Sequence, residues 1–128
     1  MTMINSIDIT IWNRAYSLPV EYEFYTEDIL TKPQEKAIRS FTEHPEWLED
    51  AKSQVEQYCF SEVMADENNE KTDNIFSYIK PDYVFVKRDK KNARVALMCK
   101  YRYDQEHGLA VVFSSEGKAT VGIQDIIL

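Results

Sequence analysis

The segment DQEHG, Asp104 to Gly108, places His107 next to carboxylates and a glycine. A histidine beside carboxylates can act as a general base, and a hydrolase in which His107 works with Asp104 or Glu106 is one interpretation. The same residue types are common in turns, because Asp, His and Gly tolerate left-handed backbone conformations. Strongly β-patterned segments flank DQEHG on both sides. The sequence therefore predicts a hairpin turn here, and it leaves open a role of His107 in binding or in proton transfer.

The remaining residues supply few groups for catalysis or metal binding. The histidines are His44 and His107, and the cysteines Cys59 and Cys99 lie 40 residues apart, without the spacing of a zinc site. Cys99 stands among apolar neighbours, which indicates an inert core thiol rather than a nucleophile. The sequence contains neither a glycine-rich phosphate-binding motif nor HExxH. We therefore expect no catalytic residue, no cofactor and no metal site.

The formal net charge is −7, and the two signs are separated along the chain. From Glu21 to Asp73 there are 15 acidic and 5 basic residues, whereas from Lys80 to Arg102 there are 2 acidic and 8 basic ones. An acidic protein is poorly suited to nucleic acid, although the basic, aromatic segment keeps RNA binding as a minor alternative. A basic protein partner fits the charge better. Two other interpretations stay open: the carboxylates serve only solubility, or the cations pair with the protein's own acidic helix.

The first 25 residues carry the alternating pattern of two strands. Apolar Ile7, Ile9 and Ile11 alternate with polar neighbours over residues 6–13, and a second alternating segment covers residues 20–25. The intervening RAYSLP, which ends at a proline, is expected to connect them. We predict a hairpin whose second strand shows carboxylates to solvent.

Two helices are predicted to follow this hairpin. Thr31 and Gln34 have the spacing of a capping box, with a proline in the first turn. Pro45 opens a second, longer helix that reaches about to Met64. Apolar residues recur every three or four positions in both helices, at Ala37, Ile38 and Phe41 in the first and at Trp47, Leu48, Ala51, Val55, Tyr58, Cys59 and Val63 in the second.

The second half of the sequence predicts an antiparallel meander. An acidic loop over residues 65–74 leads to strands at 83–87, 93–104 and 108–114 and a final strand after Gly117, with a turn at KKN between the first two. The expected fold class is α+β, an antiparallel β-sheet (N-terminal hairpin plus C-terminal meander) packed with two helices. A chain of 128 residues suits a single domain spanning residues 1–128. The sequence has no membrane-spanning apolar run and no signal peptide, so we expect a cytoplasmic protein.

The last quarter of the chain resembles an uncharacterised bacterial family whose members end in a Y-D-x-E-H-G hairpin, a glycine and a QDI motif. The matching residues are Tyr103, Asp104, Glu106, His107, Gly108, Leu109, Ala110, Phe113, Gly122, Gln124, Asp125 and Ile126. Such small acidic proteins look like immunity proteins of contact-dependent growth inhibition and other polymorphic toxin systems. The resemblance implies that the protein binds and neutralises a cognate bacterial toxin and is not an enzyme.

The acidic segments are the candidate binding surface for such a toxin. A nuclease toxin has a cationic cleft, which an acidic partner can occupy in place of nucleic acid after electrostatic steering. We therefore expect a basic toxin domain, a nuclease, as partner, with no direct binding to nucleic acid or membrane. A small-ligand-binding or adaptor domain without a toxin partner is the alternative. The candidate contact residues are Glu49, Asp50 and Glu56 on the second helix and Asp66, Glu67, Glu70 and Asp73 in the loop.

Overall fold

Six strands and two helices make up the part of the chain that the computed structural model describes, residues 4–24, 30–65, 76, 78–89 and 93–128. A single 3₁₀ turn, Gln124–Ile126, follows the last strand. The elements in chain order are β1 (Ser6–Ile11), β2 (Arg14–Tyr22), α1 (Lys32–Glu43), α2 (Glu46–Ala65), β3 (Ile79–Val86), β4 (Val95–Tyr101), β5 (Leu109–Phe113) and β6 (Ala119–Gly122).

The strands form one sheet in the order of the sequence, β1-β2-β3-β4-β5-β6. All neighbours are antiparallel except β2 and β3, which run parallel where Val20 lies opposite Val84. Parallel neighbours need a long crossover, and the segment that contains α1 and α2 supplies it. The expected α+β class, the N-terminal hairpin, the C-terminal meander and the two helices are confirmed, and the sheet is mixed because of this one parallel pair.

The N-terminal hairpin turns earlier than the sequence predicts. Residues 14–19, expected to be a connection, belong to β2, and the turn consists of Trp12 and Asn13 alone. Both turn residues have positive φ, 46° and 73°, as the tight turns of hairpins require. The proline at position 19 is tolerated because β2 exchanges partners there: it pairs with β1 up to Pro19 and with β3 from Val20 onward.

Strand β3 also begins before the predicted start at Tyr83. It starts at Ile79, and the pairing with β4 shifts register between Pro81 and Tyr83. A proline cannot donate to the ladder, so its position beside a bulge keeps the strand intact. The sequence pattern missed this part because proline normally marks the end of a strand.

The predicted capping box of α1 is confirmed, and Gln34 extends it into the sheet. The Thr31 backbone N–H donates to Gln34 Oε1 at 3.0 Å, and the Gln34 backbone N–H donates to Thr31 Oγ1 at 3.3 Å. Gln34 Nε2 donates to Glu23 O at 2.8 Å and to Val86 O at 3.4 Å. This fully buried amide therefore joins the start of α1 to the ends of both parallel strands.

Replacement of Gln34 by leucine tests this junction. Leucine has a similar volume but no polar atoms, so the variant leaves the Thr31 N–H and the Glu23 carbonyl without the side-chain partner and takes one of two donors from the Val86 carbonyl. We therefore expect a loss of about 2–4 kcal/mol in the free energy of unfolding. Thr31→Ala removes the cap hydroxyl alone and should cost about 1 kcal/mol. Urea unfolding of both variants gives the comparison, and equal losses would contradict a role of Gln34 beyond the cap.

The main core lies between the sheet and the two helices. Side chains of β3, β4 and β5, among them Val84, Leu97 and Val111, face the helices and are buried. The predicted apolar stripe of α1 packs against them. From the part of α2 whose side chains are described, residues 46–59, the buried residues are Leu48, Ala51, Val55 and Cys59.

A second apolar cluster covers the opposite face of the sheet. Buried Ala96, Met98, Ala110 and Val112 form its floor, and the half-buried Tyr83 and Phe85 border it. Ile127, which follows the 3₁₀ turn, is buried against this floor. The C-terminal residues therefore shield this face of the sheet from water.

Parts of the sequence-based prediction lie outside the described residues. They are the acidic loop at 66–74, the KKN turn at 90–92, the last residue of the alternating segment predicted over 20–25, and the side chain of Val63 in the predicted helical stripe. Neither α1 nor α2 combines the length and the apolar character that crossing a membrane requires.

Candidate functional site

The DQEHG segment forms the turn between β4 and β5, as predicted. The Asp104 carboxylate accepts a hydrogen bond from the His107 backbone N–H at 3.1 Å, and the Asp104 carbonyl accepts one from the Gly108 N–H at 2.8 Å. The His107 ring lies beside the same carboxylate, with Nδ1 3.0 Å from Oδ1 and 3.1 Å from Oδ2. His107 is exposed. Asp104 therefore organises the turn through backbone and side-chain contacts at once.

The two motifs of the C-terminal resemblance meet in space at this turn. The Gln124 backbone N–H donates to His107 O at 3.1 Å, and its side-chain Nε2 donates to Cys99 O at 3.1 Å. Gly108 has a φ of +63°, and a Cβ there would lie 2.6 Å from Gln124 Nε2 and 2.9 Å from Cys99 O. These contacts hold the C-terminal residues against the sheet. Gly108, the carbonyl group of His107 and Gln124 therefore have a structural role.

The Asp104–His107 contact shifts the titration of both side chains. The His107 backbone N–H, together with the His107 ring, holds the pKa of Asp104 below its ordinary value of 3.8. The hydrogen bond to Asp104 and its charge raise the pKa of His107 above 6.5, with smaller contributions from Glu106 and Asp125. The contact therefore favours a carboxylate and an imidazolium, which is an exposed ion pair rather than a neutral general base.

Gly108→Ala should be strongly destabilising. An alanine at positive φ is strained, and its Cβ would collide with a backbone oxygen that cannot move freely, so we expect a loss of about 2–4 kcal/mol. Gly122→Ala is the matched control, because a Cβ there meets only the flexible Ile126 side chain at 3.1 Å. The control should lose less than about 1 kcal/mol. Chemical denaturation measures both values. Similar losses would argue against a special requirement for glycine at position 108.

The Asp104–His107 pair predicts a defined pH dependence of stability. The lowered pKa of Asp104 contributes stability above pH 3.8 that is lost as the pH falls, and the raised pKa of His107 contributes stability below pH 6.5 that is lost as the pH rises. The contribution is therefore largest between these two values. A double-mutant cycle of Asp104→Asn and His107→Ala, followed by thermal unfolding across this range, measures it. A coupling energy that does not vary with pH would contradict the ion pair.

The structure makes Cys99 unsuitable as a partner for His107. Its side chain is fully buried, and burial is the main cause that raises the pKa of the thiol far above its ordinary value. The thiol therefore stays protonated near neutral pH, as the sequence indicates for a core cysteine. Within the described ranges, no three His, Cys, Asp or Glu side chains converge in a way that could hold a metal ion.

The outer side of α2 carries the helical candidates for partner binding. Leu48, Val55 and Cys59 point into the core, whereas Glu49 and Asp50 are exposed. Glu56 is half-buried at the edge of the same side. In the part of the chain that the structure describes, none of these three carboxylates takes part in an ion pair.

One further carboxylate belongs with this set. Glu46, in the first turn of α2, is exposed and precedes Asp50 by one helical turn. A carboxylate in the first turn interacts favourably with the helix dipole, and the exposure of Glu46 adds it to the surface. We define the acidic α2 face as Glu46, Glu49, Asp50 and Glu56. The loop candidates Asp66, Glu67, Glu70 and Asp73 lie outside the described residues.

The cations of β3 and β4 do not pair with this face within the described residues. Lys87 Nζ lies 2.9 Å from Glu23 Oε2, beyond the end of β2, and a further ion pair is the one in the DQEHG turn. The strands β3 and β4 carry one lysine each, Lys80 and Lys100, and both side chains are exposed.

Comparison with known proteins places the chain in a family without an assigned activity. Residues 4–128 match the family described as "Domain of unknown function (DUF6985)". No curated protein and no solved structure is significantly similar to the chain.

Proposed function

We propose that this chain, which belongs to the DUF6985 family, is an immunity protein of a single domain that binds and neutralises a cognate bacterial toxin. The partner is a basic toxin domain, a nuclease, and the acidic α2 face together with the loop carboxylates Asp66, Glu67, Glu70 and Asp73 forms the contact. The protein needs no cofactor for this binding and acts in the cytoplasm. The observation that carries the proposal is the group of three exposed carboxylates and the half-buried Glu56 on a helix whose opposite side packs into the core.

The geometry of α2 favours recognition without rearrangement. Glu49 and Glu56 are separated by two helical turns, about 10 Å along the axis. Buried side chains, among them Leu48, Val55 and Cys59, hold the helix against the sheet. A rigid row of charges loses little conformational entropy on binding, which strengthens a complex at a given contact area.

Electrostatics supports a basic partner. The field of exposed carboxylates reaches about 8 Å at physiological ionic strength and steers an oppositely charged protein into contact. A nuclease must present a cationic surface to the phosphate backbone of its substrate, so the same surface attracts the acidic α2 face. Charge complementarity acts mainly on the association rate, which is the quantity that matters when a toxin has to be captured quickly.

The test is co-purification with the product of the neighbouring gene, followed by charge reversal. We expect the wild-type protein to bind a basic toxin domain with a dissociation constant of about 1 nM or below and to abolish its nuclease activity. The triple variant Glu49→Lys, Asp50→Lys, Glu56→Lys should weaken binding by at least about tenfold, chiefly through slower association. Stopped-flow association rates at low and high salt measure the effect.

A second triple variant separates a local surface from bulk charge. Glu21, Asp82 and Glu106 are exposed and lie on β2, on β3 and in the turn after β4, so their reversal to lysine changes the net charge equally. This control should bind with nearly wild-type affinity. Equal weakening by both triple variants would show that only the net charge of the protein matters, and it would contradict a specific role of the acidic α2 face. Unchanged affinity in both variants would exclude the electrostatic form of the proposal.

The alternatives have their own signatures in the same experiment. A ligand-binding or adaptor domain would be recovered without a toxin, although the neighbouring gene is expressed. A hydrolase that uses His107 would lose activity in His107→Ala while the fold persists. Either result would overturn the immunity function.

A further inference from the structure

The basic residues at the ends of β3 and β4 border a cleft that the proposed function does not use. The cleft has a volume of about 510 Å³ and lies between the residues before β3 and the turn after β4. We name it the Lys80 cleft, and its lining comprises Phe76, Tyr78, Ile79, Lys80, Lys100, Tyr101, Arg102 and Gln105. Its size falls within the usual range for small-molecule sites, about 300–1,000 Å³.

The lining has one sign of charge. Lys80, Lys100 and Arg102 are exposed cations, and no carboxylate is among the described residues that line the cleft. Gln105 adds an exposed amide, and the half-buried Phe76 adds apolar surface. The cleft therefore offers ammonium, guanidinium and amide donors above an apolar wall, which is suited to an anion.

The strand register gives an independent reason to expect an anionic ligand. Lys80 and Lys100 are direct partners in the antiparallel pairing of β3 with β4, so their Cβ atoms lie about 5 Å apart. Like charges at directly opposite positions destabilise a sheet. Neither lysine forms an ion pair with any described residue. An anion held between the two ammonium groups would turn this repulsion into attraction.

Further cations lie close to the same site. Arg102 follows Lys100 by two residues, and its backbone N–H donates to Tyr78 O at 2.8 Å, which fastens the two walls of the cleft together. The Arg14 guanidinium lies 4.2 Å from the centre of the Phe76 ring, another lining residue. An arginine guanidinium beside two lysines can contact several oxygens at once. The site therefore suits a phosphate group better than it suits an anion with a single negative charge.

We propose that the Lys80 cleft binds a small phosphate-bearing anion with two or more negative charges. Lys80 and Lys100 hold the phosphate on the outer face of the paired strands, and Arg102 contacts the phosphate oxygens that the lysines do not. A long nucleic acid does not suit the site, because the protein has a net charge of −7 and the exposed carboxylates elsewhere would repel a polyanion. A small anion meets mainly the local field, in which the three lining cations outnumber the nearby carboxylate of Asp82, because screening suppresses charges beyond about 8 Å.

Isothermal titration of the full chain with sodium pyrophosphate is the direct test. We expect saturable one-to-one binding that weakens as sodium chloride is added. The double variant Lys80→Gln, Lys100→Gln should lose at least about tenfold in affinity, because two charge-assisted contacts are removed. The matched control, Lys36→Gln with Lys118→Gln, removes the same charge from exposed lysines elsewhere and should change affinity by less than about twofold.

Thermal unfolding supplies a second readout that does not depend on heat of binding. Pyrophosphate should raise the Tm of the wild-type protein and leave that of the cleft variant unchanged. Without ligand, the cleft variant should be at least as stable as the wild type, because the cross-strand repulsion is gone. A cleft variant less stable than the wild type would show that the two lysines support the fold instead of a ligand.

Two comparison ligands define the chemical class. Citrate tests carboxylates, and a single-stranded RNA oligonucleotide tests the polymeric phosphate backbone. Tighter binding of citrate would overturn the phosphate assignment, and tighter binding of RNA would overturn the assignment to a small ligand. Failure of pyrophosphate to bind would overturn the proposal itself, whereas the toxin complex would be unaffected because it uses the acidic α2 face.

Discussion

The central strands β4 and β5 are apolar on both faces, and both faces must therefore be shielded from water. All five residues of β5 are buried, as are six of the seven in β4. The helices shield one face. The other face carries the small side chains of Ala96 and Ala110, against which the C-terminal Ile127 packs closely. Burial on both sides is typical of strands covered by separate layers, and here the second layer is only a short C-terminal segment.

This requirement explains why the residues that attract attention in the sequence are engaged in the fold. The C-terminal segment stays on the sheet because the Gln124 side chain donates to the carbonyl group of Cys99 and its backbone N–H donates to that of His107. Gly108 is required there because no side chain fits beside Gln124. The DQEHG motif thus serves the structure. Among the described residues, the acidic α2 face and the Lys80 cleft are the surfaces that we propose for recognition, and their opposite charges suit different ligands.

Local signals predicted the elements well where they depend on neighbouring residues. The capping box of Thr31 with Gln34 and the apolar spacing of both helices were sufficient to place α1 and α2. The hairpin turn was misplaced because its signal is not local. Trp12 adopts positive φ, which is unusual for an aromatic residue, and its indole Nε1 donates to Leu48 O at 2.9 Å, 36 residues away. The proline at position 19, a misleading boundary signal, lies where β2 changes partners.

The sequence by itself determined the α+β class, the helix starts, the turn at DQEHG and the separation of charge along the chain, because each depends on residues close together in the sequence. Only the tertiary structure decided the parallel pairing of β2 with β3, the contact of Gln34 with both strand ends and the meeting of the turn with Gln124. It also placed Lys80 opposite Lys100. These contacts join distant segments, and their register follows from the way both faces of the sheet are packed, which no local pattern encodes.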